Sequence, residues 1–102
     1  MLRGTTPQLT FNMPIDITNA AEVWLTFSQN KREIFTINKK DMEITSKSAV
    51  CRLTQKQTLA LDANKRLEMQ SRVGFGGTTR RDAVASNIIT TTVEEILKDG
   101  EI

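Results

Sequence analysis

The stretch Val23-Trp24-Leu25-Thr26-Phe27-Ser28-Gln29 decides the fold class, because it places apolar side chains at every second position. Val23, Leu25 and Phe27 share one face, as in a strand with one side against a core. Trp24 alternates with them, so it points away from that face. The pattern predicts a half-buried β-strand.

The residues that follow predict a return strand. Asn30-Lys31-Arg32 is a plausible tight turn, since asparagine tolerates positive φ. Residues 33–38 then carry Ile34, Phe35 and Ile37. Together the two segments predict a β-hairpin.

Four more segments show period-two alternation and are expected to be strands, and a fifth could hold a short edge strand. The four are residues 8–13, 49–53, 67–73 and 83–92, and the edge strand is expected within 39–47. Pro14 should end the first of these or mark it as an edge strand. Ser86-Asn87 interrupts the last one and predicts a bulge. Residues 74–81, rich in glycine, are expected to be a flexible hairpin tip.

Residues 54–61 predict a helix and not a strand. Thr54 can cap a helix, and Gln57 stands three residues later as the partner in a capping box. We expect one or two helical turns that bury Leu59 and, with a second turn, Leu61. The whole pattern predicts one domain, residues 1–102, that is all-β: an immunoglobulin-like β-sandwich of about six to seven short antiparallel strands with one short helical turn. An open barrel is the alternative.

Composition argues against several function classes. The chain has no histidine and no tyrosine, and histidine is the usual general base and the commonest zinc ligand. We therefore expect no enzyme, no catalytic or metal site and no cofactor. The single cysteine, Cys51, is expected to be a small buried core residue. The net charge of +2 does not indicate a nucleic-acid binder.

No apolar run approaches the roughly 20 residues that a membrane-spanning helix needs, and residues 1–7 lack the apolar stretch of a secretory signal. We expect no membrane partner. We expect the chain to be made and to fold in the cytoplasm, whatever it later joins.

Four residues are candidates for a protein interface: Trp24, Phe75, Arg80 and Arg81. An exposed Trp24 would be a binding hot spot, whereas a covered one would be ordinary packing. Phe75 is either tucked onto the sheet, which we favour, or presented to a partner.

Charged pairs are expected to be solvated. The dibasic pairs, all in predicted turns, should be divided between the two ends of the domain, which spreads positive charge; they are Lys31-Arg32, Lys39-Lys40, Lys65-Arg66 and Arg80-Arg81. The acidic residues near the C-terminus should form salt bridges or face solvent, or pair with the basic tips of a neighbouring copy.

Three stretches resemble a family of short phage and prophage proteins of Gram-positive bacteria. They are Met1-Leu2-Arg3-Gly4-Thr5-Thr6-Pro7-Gln8-Leu9-Thr10-Phe11, Leu53-Thr54-Gln55-Lys56-Gln57-Thr58-Leu59 and Ala85-Ser86-Asn87-Ile88-Ile89-Thr90-Thr91-Thr92-Val93, about half of the chain. The general pattern is also similar to the immunoglobulin-like N-terminal domain of phage baseplate upper proteins. The resemblance implies a role in the virion or in its assembly and carries no catalytic residues.

The sequence therefore predicts a non-enzymatic structural or adaptor protein of a phage or prophage. It would be associated with the tail or baseplate and would act through contacts with other phage structural proteins, as a homo-oligomer. The alternative is a free binding module for nucleic acid or carbohydrate. Aromatic residues are scarce, which disfavours a stacking platform for bases or sugars.

Overall fold

The computed structural model describes residues 1–77 and 82–102 in full, and residue 81 as part of a strand. The strands are β1 (Gln8–Asn12), β2 (Glu22–Gln29), β3 (Arg32–Asn38), β4 (Glu43–Thr45), β5 (Ser48–Arg52), β6 (Arg66–Gly76), β7 (Arg81–Ala85) and β8 (Ile89–Thr92). A 3₁₀ turn, Lys39–Asp41, follows β3, and a one-turn helix α1, Gln55–Leu59, follows β5.

The strands form two antiparallel sheets. One has the order β1-β5-β4; the other has the order β3-β2-β6, and β6 then pairs with both β7 and β8. These orders match strands B-E-D and C′-C-F-G of an immunoglobulin domain. The predicted immunoglobulin-like β-sandwich with a short helical turn is confirmed, and the open barrel is not formed. The described residues form eight strands because the last predicted strand is divided in two.

The core lies between the sheets, and the face predicted for β2 is buried. Val23, Leu25 and Phe27 are inaccessible to solvent. The Phe27 ring stacks on Phe35 with centroids 4.5 Å apart and meets the edge of Phe11 at 6.4 Å. Because Phe11 belongs to β1, this aromatic contact joins the two sheets.

The tight turn predicted between β2 and β3 is present. Asn30 and Lys31 both adopt positive φ, 52° and 63°, between β2 and β3. Two such residues make the tight hairpin turn whose twist suits antiparallel strands. Arg32, assigned to the turn from sequence, is the first residue of β3.

The predicted capping box is present. The Thr54 hydroxyl accepts from the Gln57 backbone N–H at 3.1 Å, and the Gln57 side chain accepts from the Thr54 N–H at 2.9 Å. Leu61 is buried, but the expectation that Leu59 is buried was wrong, since it is half-exposed. The buried residue of α1 is Thr58, whose hydroxyl donates to the Thr5 carbonyl at 2.9 Å.

The glycine-rich tip is shorter than predicted. β6 continues through Gly76, because Gly74 and Phe75 pair with Ala83 and Asp82 of β7. The rest of the predicted tip, residues 78–80, lies outside the described residues.

The bulge predicted at Ser86-Asn87 is confirmed. Between the pairs Arg72–Ala85 and Met69–Ile89, residues 86–88 face only residues 70 and 71 of β6. Ser86 bridges the interruption by donating its N–H to the Ser71 carbonyl and accepting the Ser71 N–H on its hydroxyl. The extra residue divides the predicted strand into β7 and β8.

Candidate protein interface

The outer face of the five-stranded sheet carries Trp24. On this face Trp24 lies between Asn38 of β3 and Arg72 of β6, its partners in register. Its neighbours Val23 and Leu25 are buried in the core, whereas 42% of Trp24 is exposed. The prediction that Trp24 points away from the core is confirmed.

Arg72 holds the indole from one side. Its guanidinium carbon lies 5.4 Å from the centroid of the Trp24 ring, a cation–π distance. At an exposed site such a contact contributes about 0.5–1 kcal/mol. The contact favours one orientation of the ring and brings a positive charge to the surface beside it.

A depression of about 230 Å³ opens next to Trp24, lined by Glu22, Trp24, Arg72, Val73, Gly74 and Ala83. Gly74 and Ala83 stand opposite each other in β6 and β7. Their small size leaves space beside the large indole. A cavity of about 150 Å³ can accept benzene, so this depression has room for one aliphatic side chain.

The charged side chains in and near the depression differ in whether they already have partners within the protein. Glu22 Oε1 accepts from the backbone N–H groups of Val23 at 3.0 Å and Lys39 at 3.1 Å. The ammonium group of Lys39 donates to the Ala20 carbonyl at 2.7 Å. Arg72 and Lys40 form no salt bridge with any fully described residue. The depression thus has a mainly apolar lining, with one acidic residue, Glu22, and one basic residue, Arg72, at its edge.

The same face continues toward the bulge. Ile88 is exposed and lines a shallow pocket with Thr26 and Gln70, in the row next to Trp24. We call the surface formed by Trp24, Arg72, Gly74, Ala83 and Ile88 the Trp24 surface. It combines two large exposed apolar side chains with an arginine, the residue types enriched at protein interfaces.

The other candidate residues do not join this surface in the described part of the chain. Phe75 is half-buried and packs against the core, in agreement with the favoured expectation. Arg80 lies outside the described residues. Arg81 pairs with Gly76 through its backbone, and its side chain also lies outside the description.

The charged pairs follow the predicted arrangement where they are described. Lys31-Arg32 and Lys65-Arg66 lie at one end of the five-stranded sheet, whereas Lys39-Lys40 follows β3 at the other end. Near the C-terminus, Glu94 pairs with the amino group of Met1 at 2.9 Å, and Asp99 pairs with Arg3 at 2.7 Å.

Cys51 is a core residue, as predicted, with 3% of its surface exposed. Burial raises the pKa of its thiol, which disfavours the reactive thiolate. Within the fully described ranges, histidine, cysteine and acidic residues form no cluster that could hold a metal ion. In the same ranges, no helix is long and apolar enough to cross a membrane.

Sequence reasoning found Trp24 but missed the depression beside it. Arg72, Gly74 and Ala83 reach Trp24 only through the pairing of β6 with β2 and β7. That pairing joins residues almost fifty positions apart, and no local pattern specifies it.

The chain was compared with protein-family models, with curated proteins and with solved structures, and no match was found in any of the three comparisons.

Proposed function

We propose that this chain is a non-enzymatic structural or adaptor protein of a phage or prophage, associated with the tail or baseplate, and that it binds other proteins of the particle through the Trp24 surface. The observation that carries the proposal is the exposed Trp24, oriented by Arg72 beside an apolar depression.

The free energy gained by covering the Trp24 surface supports a role in binding protein. Covering the indole and the adjacent Ile88 removes apolar area from water, at roughly 25 cal/mol per Å². The cation–π contact orients the indole before binding, which lowers the entropy lost when a partner docks. Tryptophan and arginine together are the side chains that most often dominate interface energies.

The distribution of basic residues supports protein as the ligand over nucleic acid. The described basic pairs are divided between the two ends of the sheet: Lys31-Arg32 and Lys65-Arg66 lie far from Trp24, and Lys39-Lys40 lies at the other end. Arg66 is also paired with Glu68 at 3.4 Å. A nucleic-acid groove requires a continuous basic track. One face of the indole is also covered by Arg72, which leaves less of the ring for stacking on a base or a sugar.

The test is mass spectrometry of purified particles from an induced lysogen that carries this gene. We expect the protein at a fixed stoichiometry in wild-type particles and at a strongly reduced level when Trp24→Ala replaces it. Val84→Ala is the matched control, because Val84 is also 42% exposed but lies on the opposite face of the sheet, opposite the buried Val73.

Absence from the particles, with the protein present in the lysate, would overturn the structural role. Equal incorporation of the Trp24→Ala and wild-type proteins would overturn the assignment of the surface.

A further inference from the structure

Four residues in and beside the Trp24 surface form a rectangle on the outer face of the sheet. Glu22 stands opposite Gly74, and Trp24 stands opposite Arg72, in the antiparallel pairing of β2 with β6. Alternate residues of a strand share a face, so the four residues are the corners of this rectangle. The indole and the glycine therefore lie on one diagonal, and the two charged residues lie on the other.

The two charged corners are opposite in sign. Neither Glu22 nor Arg72 takes part in a salt bridge within the fully described ranges. Glu22 Oε1 accepts two backbone N–H groups, and these bonds leave the negative charge of the carboxylate without a cation. Because the rectangle carries one acid and one base, a partner with a strong charge of either sign would meet a like charge here.

The other diagonal combines a projecting side chain with a hollow. Trp24 is 42% exposed, and the depression of about 230 Å³ beside it extends past Gly74 to Ala83. The strand residues that flank the rectangle most closely on this face are uncharged; they are Thr26, Asn38, Gln70, Ala83 and Ala85. A second sheet can therefore approach without burying a further charge from these positions.

Two copies can pack face to face about a twofold axis along either diagonal of the rectangle. With the axis along the Trp24–Gly74 diagonal, Glu22 of each copy lies opposite Arg72 of the other copy. With the axis along the other diagonal, each charged residue would lie opposite its own equivalent, and like charges would meet. An axis parallel to an edge would set each charge against Trp24 or Gly74. The first arrangement alone of these satisfies both charges.

We propose that the partner at the Trp24 surface is a second copy of this chain, packed about a twofold axis along the Trp24–Gly74 diagonal. The two depressions then face each other, and the two indoles fill the space between them. Two ion pairs, each joining Glu22 of one copy to Arg72 of the other, flank the indoles. The inference rests on the proposed function, because it names the partner of the same surface.

The contact is closed and small. A twofold interface uses the same patch on both copies, so it produces a pair and not a filament. It covers only the centre of one sheet, so we expect weak pairing. Dilute protein should be monomeric, and copies should pair in concentrated solution or in the particle, where neighbouring copies are held close together.

Reversing the two charges separately tests this arrangement. Arg72→Glu leaves two acids on the rectangle and Glu22→Arg leaves two bases, so each variant repels a copy of itself. In sedimentation equilibrium over a concentration series, we expect each variant alone to pair about tenfold more weakly than wild type. Their equimolar mixture should pair within about threefold of wild type, because every acid then faces a base. The control is Arg32→Glu, the same change at an exposed position at the far end of the sheet, and it should pair like wild type.

A second variant separates the charge of Glu22 from its hydrogen bonds. Glu22→Gln keeps an acceptor oxygen for the N–H groups of Val23 and Lys39 and removes the charge. We expect it to stay folded by circular dichroism and to pair about threefold to tenfold more weakly than wild type. Trp24 is the only tryptophan, so contact between the two indoles should also give the wild type a coupled pair of circular dichroism bands that grows with concentration.

A wild-type protein that stays monomeric at the highest concentration, or folded charge variants whose mixture pairs no better than either alone, would overturn the twofold contact. Unchanged pairing of Glu22→Gln would overturn it as well. The proposed function would survive these results if incorporation into particles still depends on Trp24, because the surface would then bind a different protein of the particle. If incorporation does not depend on Trp24 either, both proposals fail.

Discussion

Arg72 and Trp24 stand directly opposite each other on β6 and β2, and the guanidinium of one lies 5.4 Å from the ring centroid of the other. The pair lies on the outer face of the sheet, away from the core that stabilises the sandwich. Neither side chain belongs to the buried core, so substitutions here should leave the sandwich intact and open the surface to mutational tests.

The first prediction concerns this pair. Arg72→Ala should lower the free energy of unfolding by no more than about 1 kcal/mol, since it removes one exposed cation–π contact. Urea unfolding followed by circular dichroism measures the change. A loss above about 2 kcal/mol would exceed what a surface cation–π contact supplies and would make Arg72 a structural residue.

Gln29 should be far more costly to replace. Its amide is buried and makes two hydrogen bonds with the backbone of Asp62, donating to the carbonyl at 3.0 Å and accepting from the N–H at 2.7 Å. Gln29→Ala should cost about 2–3 kcal/mol, because it leaves backbone groups without partners and opens space in the core. The exposed Gln8→Ala is the control and should cost less than about 0.5 kcal/mol in the same urea experiment. Similar costs for the two variants would contradict the structural role of the Gln29 amide.

The helix cap gives a third prediction. Thr54→Ala removes the hydroxyl that accepts from Gln57 and should lower stability by about 1 kcal/mol. Thr54→Ser keeps the hydroxyl and should stay within a few tenths of a kcal/mol of wild type, as a thermal denaturation series can show. If both substitutions behave alike, the capping box does not stabilise the fold.

Cys51 should make stability fall at alkaline pH. Burial raises the pKa of its thiol in the folded protein, so above roughly pH 8.5 the unfolded chain loses this proton while the folded chain retains it. Fewer protons bound in the unfolded state means that stability decreases as pH rises. Between pH 8 and 10 the free energy of unfolding of wild type should fall more steeply than that of Cys51→Ala. Parallel curves for the two proteins would show that the thiol does not contribute.

Much of the fold follows from local sequence signals. The alternation Val23, Leu25, Phe27 specifies the buried face of β2, and the Thr54–Gln57 spacing specifies the cap of α1. Ser86-Asn87 breaks the last alternating segment where the structure has its extra residue. Each of these features depends on neighbours within a few positions, so it can be predicted from the sequence.

The missed features depend on pairing between distant strands. Gln29 continues the inward alternation after Phe27, so its burial could have been inferred, but its partner Asp62 is thirty-three residues away. The depression beside Trp24 requires Gly74 and Ala83 to meet in register, and the long β6 strand sets that register. Strand order and register are decided by the whole core, not by the segments alone.

Hydroxyl-radical footprinting of Trp24 in intact particles tests the central claim, that the Trp24 surface is a protein interface, most directly. The oxidation rate of Trp24 in the particle is compared with its rate in the free protein, with Leu2, 48% exposed on a different part of the molecule, as the internal reference. We expect a rate at least fivefold lower for Trp24 in the particle, with little change at Leu2. Equal rates for Trp24 in the particle and in the free protein would contradict it.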